Sequence, residues 1–306
     1  MKKFLNLIFL FFISFMLVSC SKEAAVNKHV KSYTKKHPKK VVTSISNYSN
    51  YKEIKPFILN DNQVSLLGRK ETSWWTDTKA NEERSPEMPK DLTDMLSKYH
   101  GYYVGDTGKK EIYLTFDCGY TNEYTSQILD VLKKDNVKAS FFATTPCINN
   151  SSDIIKRMVN EGHVVGNHST THPEPPKSSI AQFAAQSETK FDSEIIGAQD
   201  AFERVTGKKM HKFFRPPEGI FSELSLYYTQ KLGYRTILWS LAYEDYNTNK
   251  QPDPEKAKET ILGRTHKGGI FLLHGISKTN AEILDDLINT WKEKGYQFKT
   301  LDQLPQ

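Results

Sequence analysis

The sequence predicts an α/β protein built on an irregular (β/α) barrel of about seven parallel strands in a single domain. Short β-rich runs alternate with helical patterns from about Glu111 onward, which indicates parallel strands joined by crossover helices. There are about seven such units, too few for the eight of a regular barrel. Polar side chains directly follow several of the predicted strands, as in barrels that place a site at the carboxyl ends of their strands.

The predicted strands are short and rich in β-branched and aromatic residues. The first, residues 111–116, alternates apolar and polar side chains and places Asp117 at its carboxyl end. The other strands are predicted at residues 139–143, 164–166, 212–214, 236–239, 270–273 and 297–299.

Helical periodicity fills the intervals between these strands. The first helix carries Ile128, Leu129 and Leu132 on one face, and a second is predicted to begin at an N-cap, Ser152, and to stop at Gly162. Residues 180–206 are predicted to form one long helix that Gly207 closes. Further helices are predicted at residues 222–232, 254–263 and 280–294.

The amino terminus indicates export. Lys2 and Lys3 precede an apolar run at residues 4–18, which is too short to cross about 30 Å of hydrocarbon, so residues 1–19 are predicted to be a signal peptide. The run ends in Leu-Val-Ser-Cys, which resembles the lipobox of bacterial lipoproteins and predicts lipidation of Cys20. The alternative is an ordinary cleaved signal with a chance cysteine. Lipidation predicts a membrane partner through the anchor.

A basic tether is predicted at residues 20–55, between the lipidated cysteine and the folded domain at residues 56–306. Seven lysines lie between Lys22 and Lys40, among few apolar residues. Such a run favours a solvated tether, with attraction to anionic lipid or acidic wall polymer as the alternative. Without an aromatic–basic recognition motif, a nucleic-acid partner is excluded.

Three polar groups stand at predicted strand ends in the first half of the domain. Asp117 is followed by Cys118 and Gly119, a pattern that serves a turn more often than a reaction. His168 and His172 are four residues apart, and neutral imidazoles suit zinc and related ions, although surface or capping histidines are the alternative.

Three more polar residues follow later strands. Arg215 opens a rigid Arg-Pro-Pro-Glu-Gly turn, where a surface ion pair is the alternative. Asp245 follows an aromatic strand, and His274 ends an apolar one. Because carboxyl ends of parallel strands gather at one barrel rim, these side chains are expected to meet.

Taken in this order, the motifs resemble the polysaccharide deacetylases of carbohydrate esterase family four, the NodB-homology domain, over about residues 60–305. Five segments are most similar to the branch that deacetylates muramic acid on the way to the muramic δ-lactam of bacterial spore cortex. They are residues 101–106, 119–120, 168–173, 215–222 and 272–280.

The resemblance implies a catalytic domain that hydrolyses an N-acetyl amide of peptidoglycan with a divalent metal, expected to be zinc. It makes Asp117 the general base and His274 the general acid. Arg215 orients Asp117, Asp245 holds His274, and the metal ligands are expected to be His168 and His172. Three further side chains are expected to contact the sugar: Tyr120, Trp239 and Tyr243.

Cys118 departs from the wider family, which has a second aspartate there as a third metal ligand. The muramic-acid branch also lacks that aspartate and usually has asparagine. Three roles stay open: a bystander, a disulfide partner of Cys147, or a thiolate ligand of zinc.

Competing functions remain at this point. The substrate could instead be N-acetylglucosamine in peptidoglycan, a chitin-like glycan or an acetyl ester of xylan. Outside enzymes, the chain could be a catalytically idle wall-binding lipoprotein. Export and anchoring favour the producer's own wall as the substrate. They also predict a location on the outer face of the cytoplasmic membrane or in the forespore intermembrane space.

Overall fold

A computed structural model describes residues 52–305 of the chain. The predicted signal peptide, Cys20 and nearly all of the predicted tether therefore lie outside the described residues. Within residues 52–305, no helix is both long enough and apolar enough to cross a bilayer.

Nine strands in the described residues form two sheets. In chain order they are β1 Thr72–Ser73, β2 Glu111–Cys118, β3 Ser140–Ala143, β4 Val164–Asn167, β5 Phe213–Phe214, β6 Ile220–Phe221, β7 Arg235–Thr236, β8 Gly269–His274 and β9 Gln297–Phe298. Seven of them make one parallel sheet in the order β7-β5-β4-β3-β2-β8, with β9 also pairing with β2. The predicted α/β class and the parallel strands are confirmed. Strands β1 and β6 pair antiparallel in a separate small sheet.

The chain that follows β7 connects the two edges of the large sheet. Ile237 N–H donates to the carbonyl of Phe214 at 2.8 Å, and Leu272 N–H on β8 donates to the carbonyl of Leu241 at 2.8 Å. Leu241 also forms a parallel bridge with Phe271. The predicted strand at residues 236–239 is thus a two-residue strand followed by a bridging segment, which curls the sheet into an irregular barrel.

Ten α-helices surround the sheet in the described part. They are α1 Asp61–Ser65, α2 Lys90–Lys98, α3 Glu123–Lys134, α4 Thr145–Asn150, α5 Ser152–Asn160, α6 Ile180–Gln186, α7 Glu188–Thr206, α8 Glu223–Lys231, α9 Pro254–Gly263 and α10 Lys278–Glu293.

The single helix predicted at residues 180–206 is wrong, because the helix breaks at Ser187. The backbone of Ser187 is extended, and its side chain accepts a hydrogen bond from Lys190 N–H, so it caps α7. Serine favours such caps over helix interiors, and the apolar periodicity continues across the break. The cap of α5 is also one residue earlier than predicted, at Ser151 rather than Ser152.

Strand β2 is buried from Ile112 to Cys118, and its two faces meet different surroundings. Leu114, Phe116 and Cys118 belong to one apolar cluster with helices α3, α5 and α10. Tyr113 packs in the second apolar cluster, with residues of α6, α7 and α8. Side chains alternate along a strand, so Asp117 shares the Tyr113 face and not that of Cys118.

Candidate active site

A cavity of about 800 Å³ opens at the carboxyl ends of the parallel strands. Asp117 from β2, His168 after β4 and His274 from β8 all line it. The walls also contain Tyr120, and Trp239 from the segment that closes the barrel. The structure therefore brings these three predicted residues together at one rim.

Asp117 and His274 are register partners on the adjacent strands β2 and β8. Neighbouring parallel strands lie about 4.8 Å apart and direct paired side chains to the same face, so a carboxylate and an imidazole stand side by side at the cavity.

Asp117 is held by Arg215, whose Nη1 donates to Oδ1 at 2.7 Å. Arg215 is fully buried, lies 4.2 Å from the centre of the Phe142 ring, and donates through Nε to the carbonyl of Ile237 at 3.2 Å. Burial acts to raise the pKa of Asp117. Electrostatic attraction to Arg215, and to a smaller extent to His168 and His274, lowers the pKa by more, so it lies below the usual range. The carboxylate is therefore ionised at neutral pH.

His274 is held by Asp245, which is fully buried. His274 Nδ1 donates to Asp245 Oδ1 at 2.6 Å, and the backbone N–H of His274 donates to Oδ2 at 2.7 Å. Burial acts to lower the pKa of His274, but the Asp245 carboxylate outweighs it, and the pKa is raised. With Nδ1 engaged, Nε2 is the nitrogen left for a substrate.

Asn280 is a site residue that the sequence did not identify. Its side-chain amide donates to Asp245 Oδ2 at 2.5 Å and to the His274 carbonyl at 3.2 Å. The Tyr243 hydroxyl hydrogen-bonds to the Asn280 side-chain oxygen. Tyr243 does not line the cavity, so its predicted role as a sugar contact is wrong, and it supports Asn280 instead. The family resemblance included Asn280 only as the last residue of the segment 272–280, and its backbone N–H donates to the Ser277 side chain in the cap of α10 at 3.1 Å.

His168 and His172 meet at a tight turn after β4, with ring centroids 4.8 Å apart. His168 Nδ1 donates to the carbonyl of Arg215 at 2.9 Å, and His172 Nδ1 donates to Glu174 Oε1 at 2.9 Å. Burial lowers the pKa of His168 to about 4, so this imidazole is neutral at pH 7. Each ring therefore keeps Nε2 as the nitrogen available to a ligand.

Glu194 of α7 holds the shape of this turn, a role that was not predicted from the sequence. Its Oε2 accepts the N–H groups of Thr170 at 3.0 Å and Thr171 at 2.8 Å, and its Oε1 accepts the Thr171 hydroxyl at 3.0 Å. The turn needs this support because Ser169 and His172 adopt positive φ angles of 70° and 51°. Ser169 contributes a further bond by accepting His172 N–H at 3.0 Å.

The donor set suits a divalent metal. His168 Nε2 lies 3.5 Å from Asp117 Oδ2, so imidazole and carboxylate donors share one corner of the cavity. In residues 52–305, one trio has ligand atoms all within 4.8 Å of one another, and it joins His172 to two acids that were not predicted, Glu174 and Glu218, without His168. His172 is thus the one predicted ligand in that trio, and the imidazole and carboxylate donors gathered at this part of the cavity are of the kind that suits a divalent ion.

Comparison with known proteins agrees with this geometry. Residues 104–237 match the polysaccharide deacetylase family. Over 230 residues the chain is 39% identical to the peptidoglycan-N-acetylmuramic acid deacetylase PdaA of Bacillus subtilis, a match that covers 75% of this chain and 84% of that protein. The chain belongs to the polysaccharide deacetylase family.

Two further similarities support membership of the polysaccharide deacetylases. The solved structure of Bacillus subtilis PdaA, described as a family 4 carbohydrate esterase, has a TM-score of 0.71 at 38% identity, covering 77% of this chain and 97% of that chain. A peptidoglycan-N-acetylglucosamine deacetylase of Bacillus cereus is 33% identical, covering 69% of this chain and 74% of that protein. The predicted resemblance, the barrel and the assignment as a hydrolase of amide bonds are confirmed.

The thiol of Cys118 lies in the apolar core on the far face of β2 from Asp117. A hydrogen-bonding interaction with Cys147, followed by burial, raises the pKa of Cys118 well above its usual value. Both cysteines are free thiols. A protonated thiol facing the core is a poor metal ligand, so we assign Cys118 to packing.

Proposed function

We propose that this chain is a metal-assisted N-deacetylase of peptidoglycan, acting on N-acetylmuramic acid on the way to the muramic δ-lactam of spore cortex. The observation that carries the proposal is the pairing of Asp117 with His274 at one cavity. The pKa of Asp117 is lowered and that of His274 is raised, so the carboxylate favours its ionised form and the imidazole its protonated form, as a base and an acid require. The choice of sugar rests on the name of the Bacillus subtilis relative.

In the first half of the reaction, Asp117 acts as the general base. Its carboxylate takes a proton from a water molecule, whose oxygen attacks the acetyl carbonyl carbon. Arg215 keeps Asp117 ionised and directs its oxygens, because one of them is fixed by the 2.7 Å bond. Arg215 is therefore a positioning residue.

In the second half, His274 acts as the general acid. The C–N bond breaks, His274 Nε2 delivers its proton to the departing sugar nitrogen, and acetate and a free amine leave. Asp245 holds the ring in the tautomer that carries a proton at Nδ1, and Asn280 holds Asp245. Without these partners, burial would deprotonate the imidazole.

His168 and His172 would hold the divalent ion. Such an ion supplies Lewis-acid polarisation of the acetyl carbonyl and lowers the pKa of a water molecule. The neutral state of His168 suits this role, because only an unprotonated imidazole nitrogen can bind a metal. Zinc is our choice among divalent ions, since nitrogen ligands suit it.

We also propose that the protein is exported and held by lipid on the outer face of the cytoplasmic membrane or in the forespore intermembrane space. The basic start, short apolar run and Cys20 of the sequence support this location. There the peptidoglycan strand is within reach of a tethered enzyme. Acyl analysis of the mature amino terminus by mass spectrometry tests the anchor, and an unmodified cysteine would exclude it.

A second candidate substrate is N-acetylglucosamine of peptidoglycan, favoured by the similarity to the Bacillus cereus enzyme. To separate the two, purified protein is incubated with peptidoglycan before and after amidase removal of stem peptides, with and without chelator. Our proposal expects loss of one acetyl group from muramic acid, confined to stripped strands and abolished by chelator. Acetyl loss from glucosamine would select the second candidate, and no acetate release from either would leave the proposal without support.

A further inference from the structure

Exposed aromatic side chains are concentrated at the catalytic cavity. Six large hydrophobic residues of the described chain are exposed, and the three aromatic ones all line this cavity: Trp75, Tyr120 and Tyr246. Exposed apolar surface that gathers at one cleft marks a binding site. Tyr120 lies within residues 104–237, which match the family, whereas Trp75 precedes them and Tyr246 follows them.

The backbone on both sides of Trp75 is clamped to the barrel. Trp74 N–H donates to the carbonyl of Gly219 at 3.1 Å, and its indole Nε1 donates to the carbonyl of Trp239 at 2.7 Å. On the other side, the hydroxyl of Thr76 donates to the carbonyl of Ser240 at 2.9 Å. The 46% exposure of Trp75 is therefore set by a fixed backbone.

Gly219 shows how closely this segment approaches the site. Gly219 has a φ of 63°, and a Cβ there would stand 2.5 Å from the Trp74 carbonyl oxygen and 2.9 Å from the Trp239 ring. Only glycine fits at that point without displacing the segment. The turn that follows Arg215 is thus shaped to receive the segment that carries Trp75.

Trp75 extends the aromatic wall that Trp239 begins. The two rings meet edge to face with centroids 6.4 Å apart, and Trp239 is almost fully buried while Trp75 is half exposed. Trp239 is thus the buried base of this wall, and Trp75 is the part of it that a ligand can contact.

We infer that Trp75, against Trp239, forms a second glycan subsite that binds the sugar next to the one that is deacetylated. The inference rests on the proposed function and adds the length of glycan that the enzyme recognises. A pyranose ring presents a flat face of C–H groups, which an exposed aromatic ring such as Trp75 covers well. A cavity of about 800 Å³ is near the top of the usual range for ligand clefts and leaves room beyond the sugar at Asp117.

The test measures acetate release from N-acetylmuramic acid itself and from amidase-stripped glycan strands of two, four and six sugars. For Trp75→Ala we expect kcat/KM to fall about tenfold on six-sugar strands, and much less on the single sugar, which cannot fill both subsites. Trp75→Phe keeps an aromatic face and should recover most of the loss. Leu66→Ala is the matched control, because Leu66 is 83% exposed and does not line the cavity.

The outcomes separate this inference from the proposed function. A loss in Trp75→Ala that is equal at every strand length, or no loss at all, overturns the subsite while the wild type still releases acetate. Failure of the wild type on every strand overturns the proposed function itself. The Tm of Trp75→Ala is compared with that of the wild type. A loss of kcat/KM that grows with strand length at an unchanged Tm supports the subsite, because a folding defect would lower activity on all strands alike.

Discussion

The replacement Asp245→Asn tests how His274 is kept protonated. It removes the buried negative charge that accepts His274 Nδ1–H at 2.6 Å and leaves the side-chain volume unchanged. Asp245 is fully buried and the His274 side chain is 23% exposed, so solvent screens this pair little. Burial is then opposed by the Asp117 carboxylate but no longer by Asp245, so the pKa of His274 must fall.

The size of the shift follows from the contact that is lost. A hydrogen bond to a charged group contributes about 1.5–3 kcal/mol, and one pKa unit corresponds to about 1.4 kcal/mol. The pKa of His274 should therefore fall by about one to two units. Because the acid works only when protonated, the basic limb of the pH profile moves to lower pH by that amount, and kcat/KM at the wild-type optimum falls about tenfold to a hundredfold.

The assay is the pH dependence of kcat/KM for acetate release from stripped peptidoglycan. Asp253→Asn is the control, because Asp253 is an exposed acid that follows Asp245 in the chain and lies at the start of α9. It should leave the basic limb in place. A basic limb of Asp245→Asn that stays at the wild-type position, or moves to higher pH, would refute the role given to this carboxylate.

Three further changes have defined outcomes. Arg215→Gln leaves burial to raise the pKa of Asp117, so the acidic limb of the profile should move to higher pH; an unmoved limb contradicts the assignment. Glu194→Ala should weaken divalent-ion binding about tenfold in a chelator competition, and Glu194→Gln should weaken it less. The control Glu203→Ala on the same helix should leave binding unchanged. If Glu194→Ala binds the ion as tightly as the wild type, Glu194 does not support the site. Cys118→Ser should leave bound metal unchanged and lower the Tm, since it places a hydroxyl in the apolar core; metal loss would restore the thiolate hypothesis.

The barrel and its reactive rim could be predicted because they depend on patterns a few residues long. The alternation in β2 fixes which side chains share a face, and a parallel sheet brings the ends of its strands to one rim. Asp117 and His274 could therefore be expected to meet even though 157 residues separate them, and they are register partners. A charged residue at a strand end can be recognised from the local sequence, and the parallel sheet then brings it beside residues that are distant in the chain.

The supports of the site could not be predicted, because their function depends on contacts between elements. Glu194 reads as an ordinary helix acid, and only the packing of α7 against the turn after β4 turns it into an acceptor for that turn. Asn280 and Trp75 likewise act across long chain separations. Tyr243 was misassigned for the same reason, since an aromatic beside Asp245 in sequence gives no sign of the direction in which its hydroxyl points.

Acetate release by Asp117→Asn on amidase-stripped peptidoglycan tests the central claim most directly. The substitution keeps the shape of the side chain beside Arg215 and His274 but removes the base. We expect turnover to fall by about a hundredfold or more while binding of the glycan strand, measured on the same preparation, is retained. Turnover near the wild-type rate would contradict the account, because the reaction would then proceed without the carboxylate on which it depends.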